Sequence, residues 1–219
     1  MAYLFGLVIL AMGTALMERA DFGMSMVVAP AYILHLAVSP VFPAFTFGMA
    51  EYCLQLVLIA ALSLALRRFR KGYLFSFVTA VAYGLILDGC IFLVGLVPGD
   101  GTIIRCICFV SGMVMGSIGV ALLFHMYFAP EAYELVVKEV AGKSGRSIAA
   151  VKTVYDLVSL TVSVILSFCF FGWMHFEGVK LGTLITALVN GWLIGRISAL
   201  LEARFDFTDR LTLRKVFEG

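Results

Sequence analysis

The chain has 219 residues, of which 62% are apolar and only 14% are charged, and its mean hydropathy is +1.04. A soluble domain is usually about 45–50% apolar and about 25% charged, so this composition predicts an integral membrane protein with lipid as its main solvent. The net charge of +2 is too small to indicate nucleic-acid binding, and the length leaves room for about six spans of roughly 20 residues.

The apolar runs are taken in chain order. The first, residues 3–17, lacks the basic start and cleavage site of a signal peptide, so we interpret it as a retained span. It ends at the charged stretch 18–21, and the apolar stretch 24–38 that follows contains Pro30 and is too short to span, which favours a re-entrant or interfacial segment. Five further spans are expected at about 43–66, 73–95, 102–128, 148–171 and 181–201.

Lys and Arg residues are concentrated in the loop after the second span, in the segment between the fourth and fifth spans, and at the end of the chain. With six spans these three regions share one side of the membrane. Cytoplasmic loops carry the excess of Lys and Arg, so the pattern predicts a multi-pass cell-membrane protein whose N- and C-termini are cytoplasmic. Only Arg19, Arg105 and Lys180 are left for the other side.

An internal repeat relates the two halves of the chain at a shift close to 106 residues, the shift that takes Gly13 to Gly119. A three-helix unit crosses the membrane an odd number of times, so its second copy enters from the opposite side. The sequence therefore predicts an all-α fold of six transmembrane helices in a 3+3 inverted repeat, with broken or re-entrant segments after the first and fourth spans. The repeats are residues 1–95 and 102–201, followed by a cytoplasmic tail, 202–219.

Two carboxylates, Glu51 and Asp156, occupy matching positions in the two repeats and are expected about 12 Å along their helices, near the membrane midplane. A carboxylate there is costly if charged and unpaired, so it can hold a proton, an alkali cation or a cationic substrate. The alternative is structural: each carboxylate bonds a backbone or hydroxyl group, and Lys152 lies one turn before Asp156 as an ion-pair partner.

Other polar residues extend this candidate site. Gln55 follows Glu51 by one turn, Asp88 lies in the outer part of the third span, and Asn190 lies in the middle of the sixth. With Glu51 and Asp156, these residues are expected to line one substrate- or ion-binding cavity. An outer gate is predicted at Glu18, Arg19 and Asp21, for which simple solvation at the membrane boundary is the alternative.

No metal site or cofactor is predicted, because the five cysteines are interpreted as free thiols and the three histidines are far apart in sequence. Glycines spaced by four residues, such as Gly112 and Gly116 or Gly191 and Gly195, predict close helix–helix approach. A glycine-lined six-helix unit also favours a homodimer within the lipid bilayer.

The run from Val151 to Asp156 begins the fifth span, and Gly182-Thr183 and Asn190-Gly191 fall in the sixth. With the glycine-rich first helix and the break after it, these elements resemble the YczE/YyaS/YitT group of bacterial membrane proteins over about residues 3–201. The resemblance implies a six-span fold and a transporter, and it implies no particular substrate.

Three functions are compared. Secondary transport of a small solute or ion, coupled to protons or cations and working by alternating access, fits the inverted repeat and its carboxylates. The alternative is a substrate-binding membrane subunit of a vitamin or metabolite uptake system, which needs an ATPase partner and no inverted repeat. An enzyme is not expected: a rhomboid-like protease needs a Gly-x-Ser-Gly nucleophile, whereas Ser117 stands one place early and the sixth span has no histidine.

Overall fold

The computed structural model describes residues 2–67, 71–99, 101–125, 131–146, 148–172 and 177–204. This part of the chain contains eight helices and no strand. In chain order the helices are α1 (Ala2–Ala20), α2 (Ala29–Val38), α3 (Phe47–Leu66), α4 (Lys71–Gly95), α5 (Thr102–Phe124), α6 (Ala132–Ser144), α7 (Ile148–Phe171) and α8 (Leu181–Arg204).

Six of these helices, α1, α3, α4, α5, α7 and α8, are long and apolar enough to cross a membrane. Their outward faces carry large apolar side chains; Leu188 of α8, for example, is 84% exposed. Such a surface is stable in lipid and not in water, because each exposed apolar group would cost free energy in an aqueous solvent. The prediction of six spans in a multi-pass membrane protein is confirmed.

The six long helices alternate in direction, as contacts at both ends of the molecule show. Arg19, at the end of α1, donates to the carbonyls of Val94 and Val97 at the end of α4. At the other end, His125 after α5 pairs with Glu202 near the end of α8, at 3.0 Å. We call the side at which α1 begins the N-terminal face and the side at which it ends the opposite face.

The start of α3 differs from the prediction. This helix begins at Phe47 rather than near residue 43, because Thr46 serves as its N-cap and accepts a hydrogen bond from the Met49 amide at 3.1 Å. Glu51 therefore lies in the second turn of its helix. The fourth predicted span ends at Phe124 in α5, and its expected continuation to residue 128 lies outside the described residues, as does the tail beyond Arg204.

Short helices follow α1 and α5, where broken or re-entrant segments were expected. Pro30 stands in the first turn of α2, where its missing amide proton is no loss. The second short helix, α6, begins beside the middle of α3, because the Ala132 amide donates to Gln55, and continues along the later part of α3 through Leu135, which packs with Ile59 and Leu62. It then reaches the N-terminal face, where Gly145 ends it in a left-handed conformation.

The helices pack around a tight central pair, α1 and α5. Alanines and glycines line this contact: Ala11 and Ala15 have no exposed surface, and a Cβ added to Gly13 would lie 2.5 Å from the Gly116 amide. Helix α4 packs on α1, α8 packs on α5, and α3 packs on α2, α4 and α6. Helix α7 packs on α2 and α6, whereas within the described residues α7 and α8 make no extensive contact.

The glycine-lined faces of α5 and α8 therefore differ in whether they pack closely against another helix. The expected close approach is present where α5 meets α1, since added Cβ atoms on Gly112 and Gly119 would collide with α1. It is absent in α8, because added Cβ atoms on Gly191 and Gly195 would meet nothing within 4 Å. The close contact predicted through Gly191 and Gly195 is therefore not made within the described residues, and α8 packs on α5 through other residues.

Candidate functional site

Glu51 and Gln55 lie one turn apart on the inner face of α3, and neither has any exposed surface. Both side chains are held by α6. The Tyr133 hydroxyl donates to Glu51 Oε2 at 2.7 Å, and the Ala132 amide donates to Gln55 Oε1 at 3.1 Å. The first turn of α6 thus docks onto two polar side chains in the interior of the protein.

Three polar atoms at this contact are buried and make no hydrogen bond within the described residues. They are Glu51 Oε1, Gln55 Nε2 and Oε1 of Glu131, the N-cap residue of α6. Glu131 is only 5% exposed. A buried polar group without a partner costs roughly 1–3 kcal/mol, and a charged group costs more. The three atoms can therefore bind a proton, a water or a ligand.

The electrostatics of α6 follow from this burial. Burial raises the pKa of Glu131 well above its usual value, and the nearby carboxylates of Glu134 and Glu51 raise it further. Burial also raises the pKa of Glu134, against the opposing effect of Lys152. Two carboxyl groups at the start of one short helix thus favour their neutral forms unless a cation is close.

Asp156 lies on α7, on the other side of α6. It pairs with Lys152 at 3.3 Å, as the spacing predicts, and its side chain keeps 20% of its surface exposed. The connection to Glu51 is indirect: the ring of Tyr155 lies 6.4 Å from the ring of Tyr133, which bonds Glu51. The structure therefore places Asp156 near the α6 cluster but gives it a separate partner.

The other two predicted cavity residues lie elsewhere. Asp88 accepts hydrogen bonds from the Thr46 hydroxyl at 2.6 Å and the Gly48 amide at 2.8 Å, and so fixes the start of α3. Asn190 accepts from Ser117 at 2.6 Å and joins α8 to α5. Of the five residues expected to line one cavity, the structure brings together Glu51 and Gln55 only.

The residues of the predicted outer gate join several helices on the opposite face. Asp21 pairs with Arg105 at 2.9 Å and also with Lys180, so it ties the end of α1 to the starts of α5 and α8. Arg19 is bound by the backbone at the end of α4, and Glu18 is partly buried beside them. All three basic residues that the sequence left for this side are thus engaged, Arg105 and Lys180 with Asp21 and Arg19 with the backbone at the end of α4.

Sequence reasoning missed Glu131 and Tyr133 as members of the site, because it predicted only a broken or re-entrant segment after the fourth span and singled out no residue in it. A signal was present: Tyr133, Val137 and Ala141 are buried and spaced by four residues, the pattern of a helix with one packed face. The charged residues between them obscured this pattern.

The sequence matches a family of unknown function, DUF6198, over residues 1–199. The chain belongs to this family. It is also similar to the uncharacterised protein YyaS of Bacillus subtilis (strain 168), with 24% identity over 207 residues that cover 94% of each chain. The resemblance to the YyaS group is therefore confirmed. No solved structure matches this DUF6198 chain significantly.

Proposed function

We propose that this DUF6198 protein is a secondary transporter of a small solute or ion, coupled to protons or cations, that works by alternating access. The observation that carries the proposal is the buried contact between α3 and α6, where Glu51 and Glu131 have carboxylate oxygens without partners. Ionisable groups inside a membrane bundle are costly, and they typically mark ion or substrate pathways. A short helix that begins in the protein interior beside such groups is typical of transporter sites.

An inverted repeat supports the alternating-access part of the proposal. If α1 to α4 correspond to α5 to α8, the packing of α1 on α4 corresponds to that of α5 on α8, and the packing of α2 on α7 corresponds to that of α6 on α3. Two close contacts also exchange under the shift of 106 residues, namely Gly13 with Gly116 and Gly119 with Leu10. A repeated unit of this kind can open alternately to either side.

Polar contacts near the helix ends support the same correspondence. Arg19 and His125 are related by the repeat shift, and each bonds the final turn of the last helix in its own repeat, α4 and α8 respectively. The excess of Lys and Arg on the N-terminal face favours cytoplasmic termini in the cell membrane. A C-terminal reporter that is active only in the cytoplasm tests this orientation, and an inactive reporter on a fully expressed protein would contradict it.

Transport is tested by electrophysiology of proteoliposomes on a solid support, against a panel of amines, amino acids, vitamins and inorganic ions. We expect at least one solute to give a current with the wild type, and we expect Glu51→Gln and Asp156→Asn to abolish it. Glu177→Gln, a change on the partly exposed loop of the opposite face, is the matched control and should keep the current. The proposal fails if both intramembrane variants transport normally.

The runner-up function, a substrate-binding subunit of an uptake system, would give a different result with the same purified protein. A substrate-binding subunit of an uptake system would bind a vitamin or metabolite, give no current alone, and co-purify with an ATPase and a coupling membrane protein. The proposal includes no enzymatic step. A homodimer remains a prediction, and crosslinking at native density that yields only monomer would contradict it.

A further inference from the structure

The contact between α3 and α6 lacks positive charge. Glu51 has no exposed surface and Glu131 has 5%, and among the described residues neither forms an ion pair with Lys, Arg or His. Lys152, the basic residue of α7 beside this cluster, is engaged with Asp156 at 3.3 Å. Two buried carboxylates without a countercharge are unstable in their ionised form, so a positive charge must enter for both to be ionised.

The free atoms define the ligand chemistry. Glu51 Oε1 and Glu131 Oε1 are unpartnered acceptors, the Tyr133 hydroxyl oxygen lies beside Glu51, and all of these are hard oxygen ligands. Gln55 is fully buried beside them, but its oxygen is bound to Ala132 and its Nε2 can only donate, so Gln55 is not one of the cation ligands. The two buried carboxylate oxygens without partners are the observation that points to a ligand here.

The burial of this contact and the ligands it offers restrict which cation can bind between α3 and α6. Glu51 and Gln55 have no exposed surface, so a ligand at this contact must lie among buried side chains. Magnesium gives up its water ligands reluctantly and usually keeps several of them, which a contact with no exposed surface does not accommodate. No group of three or more His, Cys, Asp or Glu side chains in the described chain has the geometry of a metal site, which disfavours a transition metal.

We propose that Glu51 and Glu131 form a binding site for one small monovalent cation, an alkali-metal or ammonium ion, between α3 and the first turn of α6. Binding replaces the missing countercharge and ties α6 to α3. The inference rests on the proposed function only in assigning this ion as the coupling ion or the cargo. The binding site itself can be tested without transport.

Protons compete for the same carboxylates, and the surrounding groups determine how strongly. From α6 itself these are Tyr133 and Glu134; from α4 it is Tyr83, and from α1 it is Tyr3, both of which lie within electrostatic reach of Glu131. On the α7 side, Tyr155 lies beyond Tyr133, and the Lys152–Asp156 pair faces Glu134. The groups nearest the two carboxylates are neutral hydroxyls or further acids, so cation binding should strengthen as the pH rises.

The test is the melting temperature of the detergent-purified protein in sodium, potassium, ammonium or choline chloride at equal ionic strength, at one acidic and one alkaline pH. We expect a saturable rise at alkaline pH with at least one small cation and none with choline, which is too large for the site. The responding cation separates an alkali-metal ion from an ammonium ion. Glu51→Gln and Glu131→Gln should each abolish the rise, and Glu177→Gln should retain it.

Direct binding keeps the inference testable if the variants do not fold. Radiolabelled sodium or rubidium should bind the purified wild type at one ion per chain, and excess unlabelled ion should displace it. The inference is overturned if the small cations and choline act alike at both pH values, so that protons alone neutralise the carboxylates. Cation binding without any transported solute would contradict the transporter instead, and transport without cation binding would contradict only this site.

Discussion

At the scale of single residues, Glu131 couples the stability of the fold to pH. Its pKa is raised by burial and by the nearby carboxylates, so the folded protein holds this proton more tightly than the unfolded chain does. Between the unfolded and folded pKa values the unfolded state binds fewer protons, and the free energy of unfolding therefore falls as the pH rises. The stability that this group contributes should be fully present below the pKa of Glu in the unfolded chain, about 4.3. It should be lost as the pH rises through the pKa of Glu131 in the folded protein.

The measurement is the free energy of unfolding across pH in choline chloride, for the wild type and Glu131→Gln. One proton gives a slope of about 1.4 kcal/mol per pH unit. Glu131→Gln should reduce the slope that lies above the range of ordinary carboxyl groups and should leave the part contributed by Glu134. Glu177→Gln should leave the slope unchanged. An equal slope in the wild type and Glu131→Gln would mean that the carboxyl group of Glu131 does not cause the pH dependence of stability.

The sequence predicts individual residues of the site better than their partners. The spacing of four residues placed Glu51 and Gln55 on one helix face, and it paired Lys152 with Asp156; the structure has both features. The partners of Glu51 come from residues 80 or more positions away, as in its bond from Tyr133. Such contacts depend on how α6 docks, which local periodicity does not encode. The functional role of these residues stays a prediction.

At the scale of elements, the pair α1 and α5 depends on glycine at particular positions. A Cβ added to Gly13 would lie 2.5 Å from the Gly116 amide nitrogen and 2.7 Å from the Gly112 carbonyl oxygen, both rigid backbone atoms. Gly13→Ala must therefore push the two helices apart, at a cost of about 1–3 kcal/mol or more. On the facing helix, a Cβ added to Gly116 meets nothing within 4 Å, so Gly116→Ala should be neutral or should stabilise by up to about 1 kcal/mol.

Thermal unfolding of the two variants in one detergent checks this prediction, since they introduce the same methyl group into the same contact. Gly13→Ala should melt well below the wild type and Gly116→Ala at or above it. If both variants melt alike, the close approach of α1 and α5 is not what stabilises the pair.

The elements themselves were largely predictable, because six runs of about 20 apolar residues give a strong signal. The residues at which the helices begin and end were less predictable. The start of α3 is fixed by Thr46 and by Asp88 from the next helix, a long-range cap that the apolar run does not show. For α6 the sequence predicted only a broken or re-entrant segment, and it did not predict that the face through Tyr133 and Ala141 is buried. Its charged residues were the stronger local signal, and tertiary packing overrode them.

At the scale of the whole molecule, the two halves differ most in the packing of their last two spanning helices. In the first half α3 lies against α4, where Gly48 and Gly84 meet backbone to backbone: a Cβ added to Gly84 would be 2.6 Å from the Gly48 carbonyl oxygen. In the second half the matching residue is Gly191, 107 positions after Gly84, and an added Cβ there meets nothing within 4 Å. Helices α3 and α4 are therefore in close contact, whereas the equivalent helices α7 and α8 lie apart within the described residues.

If the halves are inverted repeats, the other state of the transport cycle exchanges these two arrangements: α7 closes on α8 at Gly191, and α3 separates from α4 at Gly84. A large side chain at Gly84 should then have the opposite effect on this equilibrium to a large side chain at Gly191. Gly84→Leu should destabilise the state described above, because the backbone of α3 fills the space it needs. Gly191→Leu should leave the melting temperature unchanged but should prevent α7 from closing on α8.

Spin labels at Val154 of α7 and Leu188 of α8, both on the exposed surface, report this closure through the distance between them in a cysteine-free background. We expect two distance populations in the otherwise unchanged protein, with the shorter one lost in Gly191→Leu and enriched in Gly84→Leu. Because Gly191 is open in the present state, loss of the shorter population cannot come from a damaged starting structure. A single distance that neither substitution alters would mean that α7 and α8 stay apart, and the difference between the halves would then be a fixed asymmetry rather than one state of a cycle.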